Sequence, residues 1–121
     1  MPKVLIVNDS GHDFSGARSF GDFVILTKGT INRFRLTSMF RAMRDALLAS
    51  APDDLILLSG PTILNVIACS FFAFQHGRLN LLIFRAERDG SDHYVVRRLV
   101  FSNDESEDQD NSDGNGDDRL S

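Results

Sequence analysis

One cysteine is all the chain carries among 121 residues. Cys69 alone excludes an intramolecular disulfide framework, and its apolar neighbours mark it as a buried, unreactive thiol. No basic-then-apolar segment with a cleavage site opens the sequence, which sets the expectation of a cytosolic protein. No phosphate-loop lysine is present. Gly11-His12-Asp13-Phe14-Ser15-Gly16 has two glycines with four residues between them, but Ala17-Arg18 follow where Lys and then Ser or Thr are needed, and Asp13 would repel phosphate. The Gly-x-Ser-x-Gly elbow of acyl-transfer enzymes is also missing, because Leu57 and Pro61 flank Ser59. Asp9, His12 and Asp13 crowd one short loop without the spacing of a closed metal site, so no metal is expected, and no cofactor is implied. The chain shows no internal repeat.

The charge is divided unevenly. From Ser102 onward there are eight acidic residues against one basic residue, Arg119, a net of −7. The preceding part holds 12 basic and 9 acidic residues, a net of +3. A segment so poor in apolar side chains buries too little surface to offset its ordering entropy. Residues 102–121 are therefore expected to be a disordered acidic tail, serving either as a solubilising tail or as an arm that covers a basic patch or mimics nucleic acid. Residues 1–101 form one domain. Arg33, Arg35, Arg41 and Arg44 make one basic cluster, and Arg85, Arg88, Arg97 and Arg98 another. Neither interleaves aromatics, and the body charge is small, so nucleic acid is not an expected partner.

What is present is an alternation of strands and helices. Lys3 to Val7 is a β-rich run ending in the turn cluster Asn8-Asp9-Ser10-Gly11. Phe14, Ala17 and Phe20 recur every three residues, as in a short helix lying on a sheet. Phe23 to Thr27 is a second strand. Leu36 to Ser50 is amphipathic, with Leu36, Met39, Phe40, Met43, Leu47 and Leu48 on one face, Thr37 or Ser38 available to cap it, and Pro52 beyond its end. Leu55 to Leu58 is a charge-free strand. The helix that follows has Pro61 near N1 and Gly77 past its end; it is apolar on nearly every side and so expected to be covered on most faces. Leu79 to Ala86 and His93 to Phe101 pair as a hairpin about Asp89-Gly90. The fold class is a small α/β domain with a mostly parallel sheet of about five strands, in the order β-β-α-β-α-β-β, helices on its faces and a C-terminal hairpin. The charge-free stretch 55–77 is long enough to span a bilayer, but Ser59-Gly60-Pro61-Thr62 interrupts it, and no membrane association is expected.

Parallel strands gather their following loops at one edge. That edge would hold Asn8, Asp9 and His12 after the first strand and Ser59, Gly60 and Asn65 at the third. These six residues are the candidate ligand-binding set. Peptide N–H groups at the helix start suit an anion, so the leading expectation is a small anionic ligand, a nucleotide among the options, bound without catalysis. Turn polarity and helix capping alone would explain the same residues.

The element order resembles the small viral ring-nuclease fold, in which a strand is followed by Gly and a helix and then by a strand hairpin. That family places a His just after the Gly at this helix start, where Pro61 stands here. The resemblance therefore implies a nucleotide-binding relative without the catalytic residue. A ring-nuclease-like phosphodiesterase using His12 or Asp9 is one alternative function. A homo-oligomeric interaction protein, a homodimer for example, is another.

Overall fold

A computed structural model of the protein describes residues 1–30 and 34–101. The acidic tail and Arg33 lie outside the described residues. The elements are β1 (Lys3–Ile6), a 3-10 helix (Ser15–Phe20), β2 (Asp22–Ile25), α1 (Leu36–Leu48), β3 (Leu55–Leu57), α2 (Thr62–His76), β4 (Arg78–Arg85) and β5 (His93–Val100). They build one five-stranded sheet in the order β2-β1-β3-β4-β5. The first four strands are parallel, and β5 returns antiparallel along β4.

This order explains how the layers divide. The chain steps from β1 to β2 in one direction, then twice in the other, through α1 and α2. Right-handed crossovers made in opposite directions must lie on opposite faces of the sheet. Alternation along β1 shows both faces. Leu5 and Val7 belong to a core with Met39, Met43 and Leu47 of α1 and Leu64, Ala68 and Phe72 of α2. Val4 and Ile6 belong to a second core with Ala17 of the 3-10 helix, Leu57 and Leu82. A strand buried on both faces must be apolar throughout, hence Val4-Leu5-Ile6-Val7.

The two faces are covered unequally. Two full helices lie on one. Among the described residues the other carries only the 3-10 helix, whose three-residue repeat sets Phe14, Ala17 and Phe20 in line on the sheet. Phe84 on this thin side remains 54% exposed, and Tyr94 and Val96 are half-buried.

Several expectations are corrected in detail. Only Met39, Met43 and Leu47 of α1 are buried, because the helix meets one sheet and one neighbouring helix; Leu36 and Leu48 stay exposed. Neither Thr37 nor Ser38 caps α1; Arg35 stands at its N-cap without a side-chain bond. The α2 helix is less covered than its composition suggests, since Val66 and Phe74 point to solvent while Leu64, Ala68 and Phe72 carry the packing. Pro61 sits at the N-cap of α2, one position earlier than expected, and Gly77 closes the helix in the left-handed conformation. The Asp89-Gly90 pair does not make a two-residue hairpin. Only Gly90 has positive φ, and its N–H donates to the Glu87 carbonyl (3.0 Å) in a wider loop. Among the described residues, no helix is long and apolar enough to cross a membrane.

At the amino edge of the sheet a buried polar knot replaces apolar packing. The Asp54 carboxylate accepts the N–H groups of Lys3 (2.9 Å) and Ala51 (2.8 Å) and pairs with the Lys3 ammonium (3.6 Å). The Asn80 amide donates to the carbonyls of Pro52 (2.7 Å) and Asp54 (2.9 Å). These bonds satisfy backbone that would otherwise be buried unpaired.

Candidate functional site

The carboxyl edge is organised by two turns held against each other. β1 and β3 are neighbours, and the crossover direction reverses between them. Ligands of open α/β sheets gather at such a point. The Asn8 N–H donates to the Ser59 hydroxyl (3.1 Å), and that hydroxyl donates to the Leu57 carbonyl (3.2 Å). The Asn8 amide donates to Thr27 Oγ1 (2.9 Å) and to the Gly29 carbonyl (3.1 Å), joining the β1 turn to the β2 turn. Asn8 is thus buried and structural, with Oδ1 unpaired against Gly60. Gly60 has φ +75°, and a Cβ there would come within 2.5 Å of the Asn8 Cβ.

Asn65 shapes the β3–α2 turn from behind. Its Oδ1 accepts the Ser59 N–H (3.0 Å), while Nδ2 donates to the carbonyls of Ser59 (3.0 Å) and Pro61 (2.9 Å). The Asp9 backbone pairs with the β2 turn, its N–H donating to the Thr27 carbonyl (2.9 Å) and its carbonyl accepting the Gly29 N–H (2.9 Å), and its carboxylate accepts the Gly11 N–H (3.2 Å).

Two hollows open on the thin face beside these turns. One, of about 330 Å³, is lined by His12, Asp13, Phe14, Leu57, Leu58, Ser59, Gly60, Phe84 and Tyr94. It lies at the small end of the range for ligand sites. Its aromatic wall includes Phe84 and Tyr94 packed edge to face at 5.3 Å. The other, of about 360 Å³, is lined by Asp9, His12, Asp13, Arg18 and Phe23 among others, with the Arg18 guanidinium 4.4 Å above the Phe23 ring. His12, Asp13 and Phe14 line both hollows.

Two acidic groups in the aromatic hollow are shifted in opposite directions. Hydrogen bonds from the Ser15 N–H (2.9 Å) and hydroxyl hold the Asp13 carboxyl below its usual range. Partial burial, and then the nearby Asp13 charge, push the Tyr94 phenol up, so it remains a protonated donor. The Ser59 proton is committed to Leu57, which does not suit a nucleophile. Among the described residues no group of three His, Cys, Asp or Glu stands together to hold a metal.

Of the six candidate residues, His12, Ser59 and Gly60 line the aromatic hollow, and Asp9 joins His12 at the second. Asn8 and Asn65 line neither; they hold the turns in shape. Sequence reasoning missed Phe14, Phe84 and Tyr94. Their signal lay in the crossover directions, which leave one face thinly covered. Of the Arg clusters, Arg85 pairs with Glu87 (3.1 Å) and Arg98 donates to Asn80 Oδ1 (3.1 Å).

The family model described as Phage Pam3 gp32-like protein matches residues 2–96. The chain belongs to this family. The match takes in every residue lining the two hollows, so the gp32-like region includes the whole carboxyl edge. No curated protein and no solved structure matches the chain.

Proposed function

We propose that this gp32-like protein is a binding module for a small anionic ligand with a planar ring, a nucleotide being the best-fitting class, and that it acts without catalysis. The observation that carries this reading is the aromatic hollow beside the turns that follow β1 and β3, with the polar Ser59–Gly60 turn in its lining. A planar ring packs against Phe14, Phe84 and Tyr94, and Asp13 accepts a ring N–H. The anionic group lies toward the Ser59–Gly60 turn, the polar part of the lining. The committed Ser59 hydroxyl supports binding rather than chemistry. We place the protein in the cytoplasm, which cell fractionation checks.

Thermal unfolding with a panel of mononucleotides and cyclic oligonucleotides tests the reading. A ligand at a hundred times its Kd adds about 2.7 kcal/mol. In a domain near this size that raises Tm by roughly 10–20 °C. Tyr94→Leu should abolish the shift while the protein stays folded. No shift with any nucleotide refutes the reading. Chromatography of the same mixtures separates binding from turnover: linear products from a cyclic oligonucleotide would replace the binding module with a phosphodiesterase.

A further inference from the structure

We infer that β5 is a dimerisation strand, pairing antiparallel with β5 of a second copy of this chain to give a continuous ten-stranded sheet. The inference does not rest on the ligand reading, although Tyr94 belongs to both surfaces.

Backbone geometry identifies the open groups. The Phe101 N–H donates to the Gly77 carbonyl (3.1 Å), and β5 runs along β4 in the register Leu79↔Leu99 to Arg85↔His93. Antiparallel alternation then turns the N–H and C=O groups of His93, Val95, Arg97 and Leu99 toward β4. Those of Tyr94, Val96, Arg98 and Val100 point outward, the Val96 carbonyl accepting from the Arg97 guanidinium (3.0 Å), a bond that strand pairing would exchange for a backbone one. Among the described residues no strand pairs with them. The strand is eight residues long, contains no proline, and carries apolar residues on both faces. Leu99 within it, and Phe84 and Phe101 beside it, are about half exposed. Such an edge is a template for another strand.

Its sequence allows a self-paired register in which no guanidinium meets itself. Centred on Val96, a two-fold axis along the sheet normal sets Val95 opposite Arg97, Tyr94 opposite Arg98 and His93 opposite Leu99. Each guanidinium then meets an apolar or aromatic side chain, and Tyr94 offers a ring face to Arg98 of the second copy. Centring on Arg97 or Arg98 would set a guanidinium opposite itself. The tail beyond Phe101 is a poorer occupant, because Asp, Asn, Ser and Gly dominate it and Leu120 is its one large apolar residue.

Sedimentation velocity of the full chain across the micromolar range tests this. The expected result is a species of twice the 13.5 kDa chain mass. Val96→Pro removes an outward N–H while leaving every β4–β5 bond intact, so it should weaken self-association roughly tenfold or more with an unchanged circular dichroism spectrum. A wild-type chain that stays monomeric, or a V96P variant that dimerises as tightly, overturns the inference. If V96P does not fold, V96C in a C69S background serves instead. Mild oxidation should give a covalent dimer through the two-fold, and no cross-link refutes the pairing. A monomeric full chain that dimerises once truncated after Phe101 would make the tail the occupant and also refutes it.

Discussion

Replacing Gly60 with alanine should destabilise the domain more than the same change at any other positive-φ glycine that lies in open space. Two separate costs act. At φ +75° an L-residue pays about 1–2 kcal/mol for the left-handed conformation. The new methyl would also lie 2.5 Å from Asn8 Cβ, 2.8 Å from Oδ1 and 2.9 Å from Cγ. Asn8 cannot swing aside freely, because its amide is bonded to Thr27 and Gly29. Overpacking of this kind costs about 1–3 kcal/mol. The sum is roughly 2–5 kcal/mol, a large share of a stability of about 5–15 kcal/mol. Gly90→Ala is the control, since Gly90 has φ +86° and nothing within 4 Å of its built Cβ. It carries only the conformational cost, about 1–2 kcal/mol. Urea unfolding of both variants gives the difference directly. Equal losses at the two positions would show that the two turns are not packed against each other, and the shape assigned to the carboxyl edge would fall.

Asn65→Leu should cost roughly 2–4 kcal/mol in urea unfolding, because the Ser59 N–H and two carbonyls lose their partner; near-wild-type stability would make Asn65 a surface residue. Phe72→Ala should cost about 3–5 kcal/mol in the core, whereas Phe74→Ala, at 89% exposure, should stay within about 0.5 kcal/mol. Similar losses for both would mean that Phe74 is covered. Desolvation holds the His76 imidazole below its ordinary value of 6.5, against a weaker opposite pull from Asp54. The folded state then binds this proton less well than the unfolded chain. Its stabilising contribution is complete above about pH 6.5 and falls as pH drops toward the depressed folded value. Urea midpoints should therefore decline on the acid side of pH 6.5, and His76→Gln should flatten that part of the profile; an unchanged slope would refute it.

Much of the fold was legible because the relevant signals are local. The run Val4-Leu5-Ile6-Val7 needs burial on both faces, and only a central strand provides it. Met39, Met43 and Leu47 mark the sheet-facing stripe of α1 by spacing alone. Helix composition was a poorer guide: Leu36, Leu48, Val66 and Phe74 are exposed because burial depends on neighbours that a single segment does not name. The Asp89-Gly90 turn differs for a related reason. Its hairpin signal was local, but the strands part at Arg85 and His93, seven residues of loop apart, so the two-residue turn has nothing to close. At the site, polar turn residues were readable but their duties were not. Asn8 and Asn65 look like ligand contacts in sequence, yet their amides are spent on backbone and on Thr27. Phe84 and Tyr94 face each other across the C-terminal hairpin, and only the sheet order brings Phe14 to them.

Titration of the isotopically labelled protein with a mononucleotide, followed by amide and aromatic NMR shifts, tests the central claim most directly. The account expects saturable changes confined to His12–Phe14, Ser59–Gly60, the first turn of α2, Phe84 and Tyr94. Saturable changes centred elsewhere, on the Arg41–Arg44 face of α1 for example, or no saturable change at all, would contradict it.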